Sequence, residues 1–300
     1  MNVAEQTPKT VGIRMAGTRG AAVLRVLRSN PIVALCAAFL AAVVVCAIFP
    51  GLLAPHNPNT IEIYSRFVRP FHKRAGVSVL GSDALGRDIL SRIIYGSRVS
   101  IGIAAAAVTL AGGIGVSLGF ISGLGKGVLS AAIMRLADLQ FSIPSLVLAL
   151  AMVAVLGPGV RNVIVVLAIG GWVPYARVTR AQVLVVKERE FVGAARGIGA
   201  STAWLVRRHI LPNAIGVVAI IAALEMGQMM ITEASLSFLG LGVPAGTADW
   251  GAMISDGRDY LATAWWASAF PGLAIVLTVA ALNVIGDWLS DRSNPVLRDW

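Results

Sequence analysis

Charge is scarce in this chain: Asp, Glu, Lys and Arg together make up 13% of its 300 residues, against roughly a quarter in soluble domains. Apolar side chains make up 57%, and the mean hydropathy is +0.78. That excludes a soluble globular domain. No polar block is long enough to bury a second core, so one membrane-embedded domain is expected. Cysteine is nearly absent too. Cys36 and Cys46 both fall inside the first apolar run, which argues against a disulfide or a metal site and reads as two small buried hydrophobes. No nucleophile–base set and no metal-ligand spacing occurs within or beside the apolar runs, which argues against a membrane enzyme. The run from Gly123 to Gly127 imitates a phosphate loop. However, Phe120 stands where its first glycine belongs, and Gly127 follows Lys126 where Ser or Thr is required. The chain therefore has no ATP site of its own. Internal repeats and interrupted helices, the usual marks of an ion-driven transporter, are also missing.

What is present is a series of apolar runs. Six spans are expected, at roughly 32–50, 99–122, 138–157, 162–177, 214–240 and 268–290, each near the ~20 residues that cross a bilayer core. Pro31 opens the first and Pro50–Gly51 ends it. Gly157, Pro158 and Gly159 make a tight turn between the third and fourth. Pro271 is expected in the first turn of the sixth, where its missing N–H is harmless. The first run, Ile32 to Phe49, follows a basic stretch but exceeds the ~7–15 apolar residues of a signal peptide and lacks small residues at its end. It is expected to remain as an uncleaved span.

The net charge of +10 does not point to nucleic acid, because the basic residues sit in the gaps between spans. Their placement sets the orientation instead. With the N-terminus inside, sixteen Lys and Arg fall on inner segments and nine on outer ones. Seven of those nine lie in the long outer loop after the first span. The bias places both termini in the cytoplasm. Trp265 and Trp266 fit the outer boundary, and Trp172 and Trp288 the inner one.

Several residues stand out within this frame. Gly115, Gly119, Gly123 and Gly127 recur at four-residue steps and suit a close helix contact. In the fifth span Glu225, Gln228, Met229, Thr232 and Glu233 fall within an arc of roughly 140°. Intramembrane acids are costly, so that stripe should face a watery route or another helix; it is the candidate translocation lining. Asn283 and Asp287 share a face of the sixth span. Before the second span, Asp83, Arg87, Asp88, Arg92 and Arg98 form either internal ion pairs or a contact with an outer protein.

The segment from Phe191 to Asn213 is polar, basic and glycine-punctuated, wedged between apolar runs. Gly199 should break a first helix, and Ser201 should cap a second over about 202–210, with Pro212 marking the return to the membrane. In its spacing of Ala194–Ala195, Gly199 and Leu211–Pro212, the segment resembles the cytoplasmic "EAA" loop of permease subunits in bacterial ABC importers. Leu80 to Ser100 is similar to the outer signature of the peptide and nickel branch. So is Glu233 to Gly242 with Asp249, Trp250 and Gly251, and Asp138 to Leu150 looks like that branch's third span. Together these resemble the C-type permease of oligopeptide and dipeptide importers.

The resemblance implies a type I ABC importer permease (MetI-like) fold: an all-α polytopic bacterial inner-membrane protein, a five-helix core plus an N-terminal span. It divides the chain into a cytoplasmic tail 1–31, a first helix and outer loop 32–98, a core 99–290 with coupling loop 178–213, and a tail 291–300. It implies a B-type permease partner, two ATPases carrying ATP and Mg, and an extracytoplasmic substrate-binding protein. This chain itself is expected to bind no cofactor. Gly193, Ala194, Ala195, Arg196, Gly199, Ser201, Leu211 and Pro212 are the implied ATPase-docking residues, although Gly193 stands where the family has Glu. Asp83, Arg87 and Asp88 are candidates for touching the binding protein. Peptides are the implied substrate. Nickel or another small solute is the alternative, and an ion-coupled carrier driven through Glu225 and Glu233 a more distant one.

Overall fold

The computed structural model describes residues 30–72, 79–125 and 127–293. The five basic residues of the N-terminal tail, Lys73, Arg74, Lys126 and Arg298 lie outside that set. Helix α1 (Pro31–Ile48) opens with Pro31 at its first turn and buries no residue. One side packs on the start of the long helix that follows and on the last helix, and the other is exposed. A one-turn α2 (Pro50–Leu53) follows.

Helix α3 (Ile89–Leu124) has 36 residues, about 54 Å at helical rise, and so projects beyond the hydrocarbon. It starts ten residues before the expected span. The reason is local: Asp88 is its N-cap and accepts the Ser91 N–H at 3.0 Å. Its closest neighbour is α6 (Val160–Lys187). Three of the four glycines in the expected stripe make that contact. A Cβ on Gly115, Gly119 or Gly123 would sit 2.6 Å from Tyr175 Cβ, 2.6 Å from Thr179 Cβ and 2.7 Å from Val183 Cβ, respectively. Gly127 does not belong to the stripe. It lies beyond the helix, at the N-cap of α4, with φ +76° and open space around it.

The third span is not the straight helix expected. It is divided into α4 (Val128–Phe141) and α5 (Ser145–Leu156), bent by 93°. Pro144 is the cause, because a proline pushes the residue before it out of helical backbone. With 12 residues, α5 reaches only about 18 Å. The long apolar helices therefore number five among the described residues, or six with the bent pair taken as one span.

After α6 come α7 (Glu190–Gly197) and α8 (Thr202–Leu205), and then a π-helical turn, Val206–Ile210, that leads directly into α9 (Leu211–Phe238). Leu205, Ile210 and Leu211 are all right-handed helical. Pro212 therefore makes no break. It sits in the first turn of α9, where a missing N–H costs nothing, and the helix passes unbroken from the elbow into the membrane. On the other side, α10 (Trp250–Gly257) and α11 (Leu261–Ala264) precede α12 (Trp266–Ser293). That last helix begins early enough to place Pro271 in its interior rather than its first turn. Of the outer tryptophans, Trp265 is exposed but Trp266 is buried, its indole donating to the Ser82 carbonyl at 3.2 Å. Trp172 is buried too, midway along α6. The main core joins α3, α6, α9, α10 and α12.

Candidate functional site

Three groups of residues define the candidate site. The first is the elbow between α6 and α9. The Ile198 N–H donates to the Ala194 carbonyl at 3.2 Å and the Ala200 N–H to the Ala195 carbonyl at 3.0 Å. Gly199, at φ +88°, occupies the left-handed position that such a helix ending requires. Ser201 then accepts the Trp204 N–H at 3.2 Å, starting α8. The elbow is anchored on its inner side by Val192, Leu205 and Ile210, which pack on Val183 and Val186 at the end of α6 and on Phe120 and Leu124 of α3. Its outer side shows Gly193, Ala194, Gly199, Ser201 and Pro212, while Ala195 and Leu211 are half-buried. Ile198 is 89% exposed and Trp204 49%, a surface that water does not favour. Arg207 and Arg208 line a groove beside Trp204. The Arg196 and His209 side chains lie outside the described set.

The second group is the α9 stripe, which packing divides. Gln228 is exposed and Glu225 half-buried, whereas Met229, Thr232 and Glu233 are buried. Thr232 Oγ1 donates to the Gln228 carbonyl at 2.9 Å. Glu233, 1% exposed, accepts the Ser237 hydroxyl at 2.8 Å. Nearby, Asp249 caps α10 by accepting the Ala252 N–H at 2.9 Å and also accepts the Ser100 hydroxyl at 2.7 Å. The inner part of the stripe thus exposes Gln228 and leaves Glu225 half-buried, and the outer part is tied into the α9–α10–α3 junction. Glu225 and Met229 face Gly171 of α6.

The third group closes the outer side. Asp83 Oδ2 accepts Arg87 Nε at 2.6 Å, and its Oδ1 accepts the Leu85 and Arg87 N–H groups at 2.9 Å each. Arg87 Nη2 also donates to Asp256 of α10 at 3.1 Å, and Arg92 lies 3.8 Å from both carboxylates. Two arginines and two aspartates make the cluster neutral. Asp88, besides capping α3, stands 3.5 Å from His56. Asp83, Arg87 and Asp88 are each less than 10% exposed. Of the two uses open to them, internal ion pairing is the one this geometry draws. Arg98 donates to the Ala47 and Ile48 carbonyls at 3.1 and 3.2 Å, closing the end of α1.

Gln140, Trp172 and Asp256 gain their side-chain partners only when distant helices meet.

Residues 115–299 match the family described as "Binding-protein-dependent transport system inner membrane component", and residues 18–70 match the "N-terminal TM domain of oligopeptide transport permease C". The chain is 37% identical over 295 residues, 98% of each chain, to a probable D,D-dipeptide transport system permease protein of Escherichia coli. It is 39% identical to a di/tripeptide permease protein of Pseudomonas aeruginosa, covering 87% of each. A nickel transport system permease protein of Escherichia coli is 40% identical, covering 81% of this chain and 86% of its own. Among solved structures, the inward-facing methionine ABC transporter superimposes with a TM-score of 0.56 at 17% identity, over 69% of this chain and 98% of that one. At that identity it speaks for the fold alone. The chain is a multi-pass inner-membrane protein and belongs to the binding-protein-dependent permeases of ABC importers, in their peptide and nickel branch.

Proposed function

We propose that this chain forms half of the translocation route of a peptide importer and takes its driving force through the elbow Glu190–Ile210. Two ATPases carrying ATP and Mg bind below, a B-type permease stands beside it, and an extracytoplasmic binding protein delivers di- or oligopeptides above. One observation carries the coupling part of this reading. The elbow is packed on the end of α6 and runs unbroken into α9, so a push on its exposed face moves both helices. The peptide relatives support the substrate. The nickel relative favours a second reading, nickel or another small solute, on the same scaffold.

Purification from native membranes tests the partners: an ATPase and a second permease should accompany the chain. Uptake that survives ATP depletion and collapses with an uncoupler would instead make this an ion-driven carrier. Labelled dipeptide and labelled nickel ion, offered to the same cells, separate the two substrates. Gly199→Trp should leave insertion intact but separate ATP hydrolysis from uptake. A Cβ at φ +88° is strained, and the indole would stand on the docking face. Equal uptake per ATP in this variant would sink the docking role. Glu225→Leu with Gln228→Leu should lower uptake at least about tenfold, a loss of ~1.4 kcal/mol, with assembly intact. Unchanged uptake would remove these two from the route. The outer ion pairs act from a distance in this scheme, holding the surface that the binding protein meets.

A further inference from the structure

Pro174 sits in the middle of α6 and has no N–H to donate. The carbonyl it would have served belongs to Gly170, one turn earlier, deep in a membrane-spanning helix. An unserved backbone group there is costly, because lipid offers no donor. Another helix supplies it. Gln140, at the end of α4, donates from Nε2 to the Gly170 carbonyl at 2.9 Å and to the Ile169 carbonyl at 2.9 Å. Its Oε1 accepts the Trp172 indole N–H at 2.7 Å. Both amide donors are then used, and the buried indole fixes which way the amide faces.

Contacts on the other side of the proline complete the grip. Arg177 Nη2 donates to Asp138 at 2.7 Å, and its guanidinium lies 4.5 Å from the Phe141 ring centroid. The last turn of α4 therefore holds α6 both before and after Pro174, just ahead of the 93° bend into α5. Opposite this grip, Gly171 faces Met229 and Glu225 of α9. At its inner end α6 carries the elbow. A helix containing Gly170, Gly171 and Pro174 kinks readily. A joint free to flex would absorb a displacement instead of passing it on.

We propose that Gln140 is a positioning residue for transport: its amide replaces the donor that Pro174 lacks and locks the α6 hinge, so that movement of the elbow reaches the Glu225 face. This rests on the importer reading given above.

The test is a double-mutant cycle of Gln140→Leu and Pro174→Ala, with two readouts on the complete transporter in lipid vesicles. The first is uptake per ATP hydrolysed. The second needs no transport: spin labels at Val165→Cys and Leu184→Cys, with Cys36→Ser and Cys46→Ser, report a distance along α6 of about 28 Å. With Pro174 present, Gln140→Leu should broaden the distance distribution about twofold and cut uptake per ATP about tenfold, equivalent to ~1.4 kcal/mol. With Pro174→Ala, which restores the N–H, adding Gln140→Leu should change neither readout. Equal losses in both backgrounds would show that Gln140 acts by packing and overturn the proposal, as would no loss in either. If the native transporter shows no ATP-driven uptake, the importer reading fails, and the spin-label distances alone decide whether Gln140 locks the hinge.

Discussion

Gly119→Leu is expected to cost the fold at least about 3 kcal/mol, the upper end for an overpacked core, and to lower the melting temperature by roughly 6–12 °C. The first added carbon would lie 2.6 Å from Thr179 Cβ and 2.8 Å from the Ala176 carbonyl. One of those neighbours is backbone, so no rotamer change can make room; the two helices must separate. Separation would be felt along the whole seam, since Gly115 and Gly123 meet α6 equally closely. Gly113→Leu is the control. Gly113 is exposed on the same helix, and a Cβ there meets nothing within 4 Å, so that variant should melt at or above the native temperature. Thermal melting of the two purified variants side by side decides the matter. Equal melting would mean that α3 and α6 do not pack through this stripe.

Arg87→Met is expected to destabilise the outer cap by about 3–5 kcal/mol, the usual cost of removing one partner from a buried ion pair. Arg87 bridges Asp83 and Asp256 at 2.6 and 3.1 Å. Without it, Asp83 stays buried, with only Arg92 within ion-pair range, at 3.8 Å. The chain around Asp83 holds the start of α3, because the Ile89 N–H donates to the Gly81 carbonyl at 3.1 Å. Loss of the cluster should therefore loosen the whole approach to α3. Limited proteolysis from the outer side would show this as faster cleavage between residues 79 and 88. Adding Asp83→Asn to Arg87→Met should recover part of the loss by removing the stranded charge. No difference between the single and double variants would mean that the cluster contributes nothing as an ion pair.

Much of the molecule was legible in its residues, for identifiable reasons. Most of the spans announced themselves because a helix that crosses a bilayer core must be a long apolar run. Gly199 and Ser201 were legible because a left-handed turn and a helix cap are local events that need those residue types. The bend at Pro144 and the continuity through Pro212 were not separable by inspection. Both are prolines beside helical sequence, and whether a proline breaks a helix depends on where the helix starts. Asp88 begins α3 ten residues before hydropathy would, since a cap acts through one carboxylate and leaves the average almost unchanged.

The acidic residues of α9 make the same point. Periodicity put Glu225 and Glu233 on one face, and they do share it. Their environments differ because α10 folds back over the outer end of α9 and brings Asp249 beside Glu233, which already holds Ser237 of its own helix, while Glu225 remains at the α6 contact. Asp83 and Arg87 were a visible local pair, but Asp256, which completes their cluster, lies on α10.

By itself the sequence determined a helical membrane protein, the motifs that carry its permease resemblance and the place of its elbow. Each of these follows from composition or residues adjacent in the chain. Only the tertiary structure decided that Gln140 serves the carbonyl freed by Pro174, that three glycines rather than four seat α3 on α6, and that Asp83, Arg87 and Arg92 gather with Asp256. Those outcomes join groups tens to hundreds of residues apart. Their physical cause is the need to satisfy every polar group and fill every gap once the helices meet, a condition no single segment carries.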